Sequence, residues 1–305
     1  QCDILEASID PLSHIGVSKQ MNRKEQMTLA QFAANGDVAA LRTGLVDIAE
    51  KGDVDRRGTW AYFAHKFARW IDVDMPSDTP FSVWYLEGNT KLPFAAFSAA
   101  PIVTCPGAGD CADWCYSFKG WRYPAAYFRQ IQNTLLMAKS AGRRIVAEKT
   151  IGLPVGIDCR LYVDGDMANV AQVAFWMAQI NGRPDLNVYG YSKSWKALLA
   201  YDRVGGLWPS NYCLNLSNGG NAESLRDDVA QLPIVRGNFL AVGIDKRLAG
   251  QYGTTAYKTA VRTAAAAAGI SRPFVCPGKC GACTPKGHLC GRKAATGVNV
   301  VIGVH

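Results

Sequence analysis

Ten cysteines stand in this 305-residue chain, and seven of them fall in two tight groups. The first group is Cys105, Cys111 and Cys115, threaded on Pro106, Gly107 and Gly109. Three thiolates on one short loop can wrap a small inorganic cluster. They leave one iron of a [4Fe–4S] cluster without a protein ligand, and an open position is what separates a reactive metal site from a closed structural one. The glycines are expected to let the loop curl close to such a cluster. The competing reading is three core thiols. The second group is Cys276, Cys280, Cys283 and Cys290. Four sulfurs fill a tetrahedral shell or a whole cluster, and sulfur-only ligation selects zinc or iron–sulfur. A structural zinc ribbon is the alternative for this group. His288 lies between its members and is read as incidental.

A disulfide framework is the other use of many cysteines, but it belongs to short secreted chains. This chain is long, opens at Gln1 and shows no signal-peptide pattern. A reducing, cytoplasmic setting is therefore expected, with no membrane span, and clustered cysteines there read as metal ligands. Hydrophobic residues make up 49% and charged residues 19%, a balance that supports a sizeable core.

Elements must place these cysteines. Residues 1–80 read as a helical N-terminal extension. Leu41, Leu45 and Ile48 have helical spacing, as do Trp60, Phe63, Phe67 and Ile71, with breaks at Asn35-Gly36 and Gly52-Asp53. Residues 81–305 read as one α/β domain with a cysteine-rich loop at 276–290. Apolar runs at 94–103, 159–163, 188–191, 212–216, 239–244 and 298–304 alternate with helix-like stretches. Strands separated by crossover helices make a parallel sheet. Six units are too few for an eight-fold barrel, so the expected architecture is a partial (β/α)6 TIM-like barrel, with an open doubly wound sheet as the alternative.

In such folds ligands gather at the carboxyl ends of the strands. The 105–115 loop follows the first run, Asp164, Gly165 and Asp166 the second, Ser192 and Lys193 the third, Ser217 to Gly220 the fourth, and Asp245 the fifth. The second cysteine group falls between the last helix and the last run, which predicts the opposite end of the sheet and two separate centres. A single shared site would need the 276–297 loop to fold back across the sheet edge.

The formal net charge of +8 allows an acidic partner such as nucleic acid. Aromatics interleave with bases at Trp114, Tyr116, Phe118, Lys119, Trp121, Arg122 and Tyr123, where single-stranded nucleic acid could stack. Cluster shielding and helix packing are the plainer use of that stretch. A Mg²⁺-dependent nuclease would need Asp158, Asp164 and Asp166 to converge.

The order of elements resembles the radical S-adenosylmethionine (SAM) core, a six-fold partial (β/α) barrel. In that family a three-cysteine loop after the first strand holds a [4Fe–4S] cluster whose open iron chelates SAM for reductive cleavage to a 5′-deoxyadenosyl radical. The resemblance implies that Cys105, Cys111 and Cys115 hold that cluster and that Tyr116 is the aromatic that follows it. It implies that Gly165 and Asp166 hold the SAM amino group, and that Asn215 and Ser217 contact its ribose and carboxylate. Gly243 and Asp245 would lie near the adenine. The spacing here is Cys-x5-Cys-x3-Cys, where the family has Cys-x3-Cys-x2-Cys; that family spacing occurs instead at Cys276, Cys280 and Cys283. The Cys-Pro-Gly-Ala loop, the Arg160–Asp166 strand end, Tyr189 to Lys193 and the late cysteine cluster also resemble the phage and plasmid "gene product 88" proteins over residues 93–305. That likeness implies the architecture and a mobile-element origin. It names no reaction, no substrate, no catalytic residue and no oligomeric state.

Overall fold

The computed structural model describes residues 21–86, 94–248, 250–278, 283 and 288–304. Three helices come first: α1 (Arg23–Asn35), α2 (Val38–Ala49) and α3 (Trp60–Asp72). Each begins where a side chain takes up an orphan amide. The Asn22 side chain accepts the Glu25 N–H while the Glu25 carboxylate accepts the Asn22 N–H, a reciprocal cap. Asp37 caps α2 and Thr59 caps α3. α1 stops at Gly36, whose φ of 67° suits a residue without a Cβ. The apolar stripe of α3 is buried, and Trp60 packs on Tyr127 and Phe128 of α4 (Pro124–Ala138), with ring centres 5.4 and 5.6 Å away.

The sheet has seven strands: β1 (Ala95–Ala96), β2 (Asp158–Leu161), β3 (Asn187–Ser192), β4 (Tyr212–Ser217), β5 (Val235–Gly243), β6 (Phe274–Val275) and β7 (Val300–Val304). Every pair is parallel, in the order β1-β2-β3-β4-β5-β7-β6. The sheet is open, with β1 and β6 at its two edges. This is the expected parallel α/β class, but the count of six gives way to seven. β6 is two residues long, too short to carry an alternation, and β7 inserts between β5 and β6. The first run also shortens. Residues 97 and 99 still pair singly, Phe97 N–H to Arg160 O and Ala99 N–H to Asp164 O, before Pro101 and Ile102 (φ 69°) turn the chain away.

The remaining helices are α5 (Ser140–Ile151), α6 (Val170–Asn181), α7 (Trp195–Arg203), α8 (Arg226–Ala230) and α9 (Thr255–Ala267). Side-chain alternation along the strands divides the sheet into two faces. Phe97, Leu161, Val188, Leu214 and Leu216 pack under α4 to α8, and Leu240, Val242 and Val301 pack under α9. Tyr189, Cys213 and Val300 point the other way. There Phe94, Leu289, Cys276 and Cys290 cover them, so these described residues lie on the helix-free face. Helices on one face and strands in near-sequential order place all the βα loops at one end, where a site can form. No described helix is long and apolar enough to cross a membrane.

Candidate functional site

The 105–115 loop is seated on the carboxyl-end loops of β3 and β4. Cys105 N–H donates to Ile102 O and Ala108 N–H to Cys105 O, which forms a tight turn. Ala108 bridges to Gly220, the Asn221 amide donates to Gly107 O at 3.0 Å, and the Asn221 side chain donates to Pro106 O at 3.0 Å. Cys111 N–H donates to Gly219 O at 3.1 Å. The loop glycines serve this docking. A Cβ on Gly107 would lie 1.8 Å from Lys193 O, and one on Gly109 would lie 2.8 Å from the Gly220 carbonyl carbon. The sequence expectation assigned them to a cluster's approach; in the structure they admit protein backbone.

Cys105, Cys111 and Cys115 are half-buried residues at this end. Burial pushes the Cys105 thiol up to about 12, with further pressure from Asp166 and Cys115 and some relief from Lys193. Cys105 and Cys115 are thus within electrostatic reach of each other, and Arg23 senses Cys115 from α1. Tyr116 anchors the loop's far end, its hydroxyl donating to Val163 O at 2.8 Å.

Asp164 and Asp166 part company because Gly165 between them takes a φ of 80°, where a Cβ would meet Thr104 Oγ1 at 2.6 Å. Asp164 accepts from Ser98 and Gln130 on the α4 side. Asp166 accepts the Ser192 hydroxyl and the amides of Met167, Lys193 and Ser194. Burial raises both carboxyl pKa values, and those hydrogen bonds oppose the rise. Asp158 lies at the amino end of β2, 3.6 Å from His288 Nε2, so the three acids of a nuclease do not meet.

Ser217 ends β4 beside this loop, whereas Asn215 lies deeper. Asn215 is fully buried, donating to Gly190 O and Cys290 O and accepting from Arg236 Nε at 2.6 Å. Gly243 ends β5 with open space around it, and Asp245 pairs with Arg247 at the surface.

The described residues of the second group lie on the helix-free face, with Cys276 just past β6 and His288 and Cys290 against the amino-end residues of β2, β3, β4 and β7. Cys276 follows the carboxyl end of β6 and its amide donates to Val301 O. Cys283 Sγ accepts the Leu289 N–H at 3.1 Å. Cys290 packs with Tyr189, Cys213 and Val300, and Cys280 lies outside the described residues. His288 is an anchor of this stretch. Its ring lies 4.9 Å from Phe94 and 4.4 Å from Tyr189, and its Nδ1 accepts the Gly291 N–H. Arg160 and Tyr191 stand between the two groups: the Arg160 guanidinium is 4.7 Å from the Tyr191 ring, and Tyr191 touches Tyr189. The sequence marks Arg160 only as the start of a resembling strand end and gives it no role, although a lone charge inside an apolar strand run was a signal available. Arg236, 2% exposed, was equally unmarked; its guanidinium bonds Asn215 and the carbonyls of Asn238, Ala295 and Val298.

Among the described residues, no group of three or more His, Cys, Asp or Glu side chains is placed to hold a metal ion. The model of a family described as gene product 88 matches residues 76–293. No curated protein and no solved structure matches the chain.

Proposed function

The chain belongs to the gene product 88 family, and we propose that it is an iron–sulfur protein of mobile-element origin, working in a reducing compartment as a radical-SAM-like enzyme. Cys105, Cys111 and Cys115 would hold a [4Fe–4S] cluster on the carboxyl-end face. One observation carries this reading: the three-cysteine loop is docked by backbone hydrogen bonds onto the loop after β4 and seats Gly107 against Lys193 after β3, so that its cysteines stand at the carboxyl ends of the strands.

The donor set suits the group. It is all sulfur, which selects soft metals. Among the described residues these sulfurs form no group placed to hold a single metal ion, and a cluster would take them as thiolate ligands on separate irons. When bound, the cluster supplies an electron and an iron with an open coordination position. Around it, Gly165 lets Asp166 reach the 192–194 backbone, so Asp166 would shape the pocket wall that meets SAM. Ser217 and the Gly219–Gly220 backbone would line the opposite side, and Tyr116 would shield the loop. Asn215 would act from beneath, through Arg236 and the Cys290 carbonyl.

Cys276, Cys283 and Cys290, with Cys280 from the sequence, would form a second centre of iron–sulfur or zinc. Arg236 supports it. The hydrogen-bond partners of this buried cation among the described residues, Asn215 and three backbone carbonyls, are all uncharged, while Cys290 and Cys213 are in its electrostatic reach. Buried charges are normally compensated, and a thiolate-rich centre is an anion of the right kind. The family match starts at residue 76, just past α3, which supports residues 1–80 as an extension.

Cys111→Ala tests the first centre. The variant should lose roughly the iron and visible absorbance of one cluster while keeping its fold. Iron content equal to that of the parent protein would refute the assignment.

A further inference from the structure

The residues that follow Cys115 form a 3-10 helix, Tyr116–Arg122, and its exposure pattern is regular. A 3-10 helix repeats every three residues, so Tyr116, Lys119 and Arg122 share one ridge. All three are exposed, and Tyr116 is 54% exposed. Ser117 and Trp121 face inward; Trp121 is 1% exposed and donates its indole N–H to Gln130. Tyr123 caps the end of this helix beside Arg122 and is 63% exposed. Behind it, Arg23 of α1 lies 4.0 Å from the Phe118 ring and donates to Phe118 O. The ridge therefore sits on a packed base, and Tyr116 is also tied by its hydroxyl to Val163 O.

Two open tyrosine rings on a braced platform, with two cations between them, have a specific complement. Tyr116 and Tyr123 are ~14 Å apart along the axis at about 2.0 Å per residue, a span of a few nucleotides. Bases stack on aromatic faces, and phosphates meet Lys and Arg between them. Exposed Asp110 and Asp113 precede the ridge on the cysteine loop, and buried Asp164 is in electrostatic reach of Tyr116, but the exposed charges of the helix itself are the cations Lys119 and Arg122, in a chain of net charge +8. A duplex hides its base faces, so this ridge fits an unpaired strand. We infer that the ridge of Tyr116, Lys119 and Arg122, with Tyr123 at its end, binds single-stranded nucleic acid and delivers it to the cysteine loop. The delivery rests on the cluster reading above; the binding does not.

The test is fluorescence anisotropy with labelled oligo-dT, oligo-U and a matching duplex, on anaerobically purified full chain whose iron content is measured in the same sample. Single strands should bind more tightly than duplex. Tyr123→Ala should weaken binding roughly tenfold, the usual scale for one stacked base, while Tyr123→Phe keeps it. The pair Lys119→Ala and Arg122→Ala should lower the salt slope by about 1.4, at ~0.7 per phosphate contact on a single strand. None of these changes should alter iron content. Single strands bound no better than duplex, or binding indifferent to both Tyr123→Ala and the charge pair, would overturn the inference. Strand binding that depends on Tyr123 in an iron-free protein would uphold it and remove the cluster instead.

Discussion

Ser192 donates its hydroxyl to the Asp166 carboxylate, 2.9 Å from one oxygen and 3.1 Å from the other. This contact ties the loop after β2 to the end of β3, directly beside Cys105. The amides of Lys193 and Ser194 add to it, and with the Met167 amide four donors converge on one buried acid. Asp166→Ala should cost roughly 3 kcal/mol or more, because it strips several buried donors of their acceptor. Ser192→Ala should cost about 1 kcal/mol, since the amides keep their partner. Urea midpoints of the two variants give the comparison; equal small shifts would argue against the network.

Gly107→Ala should also be damaging. Its Cβ would overlap the Lys193 carbonyl, which is backbone and cannot rotate away. The expected cost is about 1–3 kcal/mol of overpacking, together with reduced iron incorporation as the loop lifts. Gly243→Ala is the control. Its Cβ would meet nothing within 4 Å, and the change should stay within about 0.5 kcal/mol.

The two glycines show how far the sequence could be read. The alternation of apolar runs with helical stretches gave a parallel α/β sheet, and the first cysteine loop does lie at the strands' carboxyl ends. Gly107 was visible as a residue needing close approach, but spacing alone does not say what approaches it. β6 escaped notice because Phe274 and Val275 are too few for periodicity. The insertion of β7 beside β5 is a matter of long-range pairing that no local pattern encodes. The resemblance implies a SAM contact for Asn215; in the structure it is fully buried and donates to the Cys290 carbonyl, a long-range partner that no local pattern shows. His288 looked incidental for the same reason: its partners, Asp158, Phe94 and Tyr189, are far away in sequence.

Acid stability should report on Asp185. The Arg183 guanidinium holds its carboxyl down at about 2, and Arg183 also donates to the carbonyls of Thr150, Ile151 and Leu153. A depressed carboxyl pKa stabilises above the ordinary value near ~4 and loses that contribution as pH falls toward the folded value. Asp185→Asn should therefore lower Tm at neutral pH and match the parent protein toward the acid end, about pH 2. A Tm difference that persists unchanged at low pH would show that the ion pair is not its source.

The most direct test of the account is EPR of the anaerobically purified, dithionite-reduced protein, recorded with and without SAM and repeated on Cys111→Ala. The account predicts a [4Fe–4S]+ signal that changes shape when SAM is added and that loses this response in the variant. A signal indifferent to SAM would contradict the open iron, and an absence of iron with zinc in its place would contradict the iron–sulfur assignment altogether.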